Sequence, residues 1–120
     1  MSKTISTEAL RKEFGEKTAV ADLTLDVEHG EVFGFLGPIG AGKTTAVKLL
    51  LGLISPTSGR GEILGAPLGD HRSRKKVSFL PEHFRFHDWL TAVEFLHLHG
   101  NLYQMPAQIL GKRAAELLEL

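Results

Sequence analysis

Gly37-Pro38-Ile39-Gly40-Ala41-Gly42-Lys43-Thr44-Thr45, or GPIGAGKTT, satisfies the pattern G-x-x-x-x-G-K-[ST] through Gly37, Gly42, Lys43 and Thr44. Each fixed position has a physical reason. Glycines let the backbone turn tightly, so that successive N–H groups point inward at an anion. The positive end of a helix starting there adds to the attraction. The lysine offers a point charge to β- and γ-phosphates, and the Thr44 hydroxyl can ligate the accompanying Mg²⁺. A chance match in a chain of this length is expected at about 1% or less from average residue usage.

The flanking residues supply the context that such a loop requires. Before it, Val32-Phe-Gly-Phe-Leu36 is a short apolar run that predicts a strand buried on both faces, as in a mostly parallel sheet. Earlier still, Leu23 to Glu28 alternates apolar and polar, which predicts a strand with one wet face, and His29-Gly30 predicts a turn. From Lys43, the residues Ala46, Val47, Leu50, Leu51 and Ile54 recur at helical spacing and predict a helix ending between Gly52 and Pro56. Ser55 to Gly59 reads as a loop, and Gly61 to Gly65 and Val77 to Leu80 read as short strands.

Farther on, Thr91-Ala-Val-Glu94 is a capping box, flanked by Leu90 and Phe95 as a hydrophobic staple. It predicts a helix to about Tyr103, broken at Met105-Pro106, with a last helix starting there. That helix reaches Leu117-Leu118-Glu119-Leu120 with its apolar stripe still running and no closing signal, the expectation for a helix that is cut rather than finished.

The 120 residues suffice for one domain with a core. A hydrophobic fraction of 42% and a charged fraction of 23% are those of a soluble globular protein. Fourteen basic and fourteen acidic side chains cancel, so nothing global steers the chain toward nucleic acid. The lack of cysteine excludes disulfides and thiolate metal sites. The first residues have no apolar run suggesting a signal peptide, and no stretch approaches the length of a membrane span.

Taken in order, Leu10 to Gly15, Thr18-Ala-Val20, Leu23 to Glu28, Gly30-Glu31 and GPIGAGKTT resemble the N-terminal half of an ABC transporter ATP-binding subunit. LLLGLISPTSGRGEILG resembles that family's stretch after the Walker A helix, and Val77 to Glu82 with Leu90, Thr91 and Glu94 resembles its Q-loop region. The resemblance implies an α/β P-loop NTPase fold of the ABC ATPase type, with an N-terminal antiparallel β part and a mostly parallel core sheet. Residues 1–120 would form the N-terminal portion of one ATP-binding domain, truncated within its helical region.

The resemblance also implies ATP and Mg²⁺ as ligands. Walker A falls on Gly37, Gly40, Ala41, Gly42, Lys43, Thr44 and Thr45, the adenine-stacking aromatic on Phe14, and a residue packing at the base or ribose on Val20. Phe14 has a second reading, as a core residue. Two positions depart from the family pattern. Ile39 replaces the usual asparagine, and Glu82 replaces the glutamine that contacts Mg²⁺, so Glu82 is either a metal ligand or a plain loop residue. The signature motif, the Walker B aspartate, the catalytic glutamate and the switch histidine of the family are not found in residues 1–120.

The implied partners are a transmembrane permease subunit and a second ATP-binding subunit, with the protein at the inner face of the cell membrane. The surface from Phe84 to Trp89 is where a membrane subunit is expected to touch. A nucleotide-binding module without turnover and a different P-loop enzyme, such as a kinase, are the alternatives. The basic run Arg72 to Lys76 reads as solvated surface, and His83 and His87 read as loop residues rather than metal ligands.

Overall fold

The computed structural model describes residues 3–120. They fall into two units, one up to Ser78 and one from Phe79 onward.

The first unit is built on strands β1 (Lys3–Phe14), β2 (Lys17–Glu28), β3 (Ser58–Ile63) and β4 (Ala66–Pro67), all antiparallel, in the order β2-β1-β3-β4. Gly15, at φ 59, allows the tight turn that pairs Phe14 with Lys17. Along β1 the alternation changes phase at a bulge. Thr7 and Leu10 are both buried although three residues apart, and Ala9 between them sits at φ 48. Thr7 tolerates burial because its hydroxyl donates to the Leu23 carbonyl (2.9 Å) and accepts from the Leu25 amide (3.1 Å). Gly59 passes so close to the Ala9 carbonyl that any side chain there would collide with it.

Helix α1 (Lys43–Leu50) lies on this sheet, and a four-residue α2 (His71–Arg74) follows β4. Ala46 and Leu49 of α1 meet Leu10 and Val20 of the sheet in a buried cluster, with Leu23, Ile54 and Leu68 packed around it. Asp70 caps α2. The Arg72 side chain and amide hold the Asp70 carboxyl at about 2.

The second unit is a helical hairpin of α3 (Ala92–Leu102) and α4 (Ala107–Leu118). The capping box at the start of α3 forms as expected: the Glu94 amide donates to Thr91 Oγ1 (3.1 Å) and the Thr91 amide to Glu94 Oε1 (2.9 Å). Those bonds hold the Glu94 carboxyl below its usual range. Gln104 at φ 59 ends α3, and Pro106 occupies the N-cap of α4. Gly100 leaves room for Leu110, which packs where a Cβ would be. Phe84, Phe86 and Phe95 meet edge to face with centroids 4.8–5.8 Å apart. Among the described residues no helix is long and apolar enough to cross a membrane.

Two expected strands are absent. Val32–Leu36 forms no ladder, with Val32 98% and Leu36 94% exposed. A strand buried on both faces needs hydrogen-bonded neighbours, and no described strand runs parallel to this one. Val77–Leu80 likewise forms no strand: the Val77 amide donates instead to the Arg74 carbonyl (3.3 Å). The Gly61–Gly65 strand is displaced: pairing with β1 begins at Ser58, and Leu64-Gly65 forms the turn into β4.

Leu10 is fully buried between sheet and α1, so Leu10→Ala is expected to cost about 2–5 kcal/mol of stability. A chemical unfolding curve showing a loss below about 1 kcal/mol would remove Leu10 from the centre of this core.

Candidate functional site

The Gly37–Thr45 segment turns at Ile39-Gly40 and enters α1 at Lys43. Its conformation depends on glycine at two points. Gly40 and Gly42 both sit at φ 87, in the left-handed region closed to most side chains. Gly42 has a second requirement, because a Cβ on it would run into the carbonyl oxygen of Ala19. Ala19 is set there by a register slip. Lys12 pairs with Val20 and Glu13 with Thr18, which leaves Ala19 as the extra residue of a bulge on β2.

Gly42 is the N-cap of α1, without a side-chain cap and with no acidic residue in the first turn. The leading N–H groups of the helix therefore face no carboxylate of their own, and the positive end of α1 is directed at the loop. The loop is closed by the Ala41 amide donating to the Pro38 carbonyl (3.1 Å), and the helix begins with the Ala46 amide donating to the Gly42 carbonyl (2.9 Å). The Lys43 ammonium folds back over the loop, donating to the Gly37 carbonyl and, at 3.3 Å, to that of Pro38. Thr44 is exposed on the first turn, Thr45 is half-buried, and Ile39 points fully into solvent. This assembly of backbone donors, a cation and an exposed hydroxyl can hold a polyanion and one hard cation.

The other expected site residues are distributed unevenly. Val20 does reach the loop, its Cγ2 lying within 3.5 Å of where a Gly42 Cβ would stand, yet it is 8% exposed and belongs to the core. That burial makes it a support beneath the loop rather than an open face for a base. Phe14 is 49% exposed at the end of β1, outside the buried cluster, which disfavours the core reading. Lys12 Nζ stands 5.1 Å from its ring centroid. Glu82 is exposed and belongs to the second unit. Ala19 and Lys12 were not anticipated. The bulge that exposes Ala19 has no signature in residue type, whereas a lysine two positions before an aromatic on one strand face was a readable signal for Lys12.

Residues 20–119 match the family described as ABC transporter. An uncharacterized ABC transporter ATP-binding protein of Nostoc sp. is 48% identical over 97 residues, covering 81% of this chain and 29% of the relative. The Nod factor export ATP-binding protein I of Ralstonia nicotianae is 39% identical over 117 residues, 96% of this chain and 36% of the relative. The chain thus spans about a third of the length of these relatives. Among solved structures, an ATP-binding subunit of an ABC transporter superposes with a TM-score of 0.79 at 28% identity, covering 88% of this chain and 45% of that one. A dimeric ATP-binding cassette in a post-hydrolysis state, bound to ADP and Pi, gives 0.78 at 26% identity, over 96% and 56%.

The Ala19 contact makes a specific expectation. Gly42→Ala should distort the start of α1 and lower the melting temperature, and it should weaken anion binding more than the same substitution at Gly37. At Gly37, which has no left-handed φ, a Cβ meets only side-chain atoms, the Ala41 Cβ at 3.3 Å and the Lys43 stem at 3.7 Å, and no fixed backbone. Equal behaviour of the two variants in melting and binding assays would contradict this geometry.

Proposed function

The chain belongs to the ABC transporter family, and from that premise we propose that Gly37–Thr45 is a Walker A loop holding the phosphates of Mg-ATP. The observation that carries the reading is the junction at Gly42, where two left-handed glycines and an uncapped helix start converge on Lys43. Backbone N–H groups of Gly40, Gly42, Lys43, Thr44 and Thr45 bind phosphate oxygens, while the Ala41 amide closes the loop on Pro38. Lys43 exchanges the carbonyls of Gly37 and Pro38 for the β- and γ-phosphates, bonds to anionic oxygens replacing bonds to neutral carbonyls. Thr44 offers its hydroxyl to Mg²⁺, and Glu82 is proposed as a further oxygen ligand. Ile39 leaves the binding face untouched because its side chain points away and the donors there are main-chain groups. Phe14 supplies a ring for the adenine, and Val20 acts through Gly42.

In the whole protein the proposed activity is ATP hydrolysis that drives transport. ATP would lie between two such subunits, and a permease would couple them to the membrane at its cytoplasmic face. The chemistry available in this chain is phosphate positioning and charge stabilisation.

Lys43→Ala is expected to weaken Mg-ATP by about 2–3 kcal/mol, roughly 30- to 150-fold in Kd. Titration calorimetry that finds equal affinity in the variant and the parent would exclude Lys43 from the site.

A further inference from the structure

Lys12 has two contacts that neither folding of the sheet nor phosphate binding requires. Its ammonium donates to the Ser55 carbonyl at 2.7 Å, in the loop that follows α1, and it stands over the Phe14 ring at 5.1 Å from the centroid. Attraction between an ammonium and a ring face extends to about 6 Å. Residues two apart on a strand share a face, so the lysine and the ring are neighbours by construction. The main chain of Lys12 pairs with Val20, the residue packed beneath Gly42. One rung of the β1–β2 ladder thus joins Lys12, the residue over the exposed ring, to the support of the phosphate loop.

From this geometry we infer that Lys12 is the positioning residue of a purine platform: it covers one face of the Phe14 ring and leaves the other to the base. The inference rests on the reading of Phe14 as the residue that receives adenine. A half-exposed phenylalanine at the end of a hairpin can rotate about two side-chain bonds. A cation fixed over one face favours the ring orientation that keeps it there, and that face is then occupied. The tether to Ser55 holds the ammonium in place, since a lysine otherwise has several freely rotating bonds. Lys12 then contributes to base affinity without touching the phosphates.

The test is calorimetric titration of the protein with Mg-ATP and, separately, with inorganic tripolyphosphate, which engages the loop and has no base. Lys12→Met is expected to weaken ATP about two- to five-fold and leave tripolyphosphate unchanged, with Lys12→Arg restoring the affinity. In a Phe14→Ala background the Lys12 substitution should have no further effect. Unchanged ATP affinity in Lys12→Met, equal losses for both ligands, or a loss that persists without Phe14 would each overturn the assignment. Phe14→Ala alone reports on the platform itself. If it weakens ATP while Lys12→Met does not, the platform stands and the role of Lys12 falls. If it leaves ATP untouched, the platform is absent.

Discussion

The space between Gly42 and the Ala19 carbonyl admits no side chain, and the rest of the site depends on that restriction. It fixes the loop against the sheet at the point where α1 begins. A left-handed residue at the N-cap reverses the chain sharply enough for the first helical N–H groups to face back over the loop. Any other residue would meet two penalties, a strained φ and a clash with fixed backbone, and neither could relax without moving the other element. The bulge at Ala19 belongs to the same device, because it aims the carbonyl that Gly42 has to clear.

Rigidity at that junction comes from the core underneath. Leu49 and Ala46 seat α1 on Leu10 and Val20, so the direction of the helix, and with it the direction of its positive end, is set by apolar packing some residues away from the loop. The polar groups at the loop itself are few and mostly main-chain. This explains how an exposed Ile39 is accommodated in a motif made for anions: the donors belong to the backbone, and a solvent-facing side chain does not alter them. Lys43, bonded to two carbonyls of its own loop, has its ammonium held close to where phosphates would lie.

Elements specified by local chemistry were legible in the sequence. The capping box at Thr91 and Glu94, the helix from Lys43 and the break at Pro106 each rest on contacts within a few residues, and the structure forms all three. The α/β class with its antiparallel N-terminal part was equally readable and agrees with the solved ATP-binding cassettes. Features set by distant partners were not. Val32–Leu36 has the composition of an inner strand, but a ladder is a property of neighbours, and the described sheet contains none for it. The extent of β1 was obscured because the bulge at Ala9 shifts its buried positions out of strict alternation. At the site, the loop motif was plain from spacing. The burial of Val20 and the approach of Ala19 required the fold, because a single strand shows neither which side its core lies on nor which carbonyl a bulge turns outward.

The central claim is that main-chain donors at the start of α1, held by the Gly42 junction, receive the phosphates. Amide proton and nitrogen spectra of the labelled protein, recorded through a titration with Mg-ATP, test it most directly. The account predicts that the largest shifts fall on the amides of Gly40, Gly42, Lys43, Thr44 and Thr45, and that inorganic tripolyphosphate reproduces them. Saturable binding of Mg-ATP that leaves these five amides unmoved while others shift would contradict it.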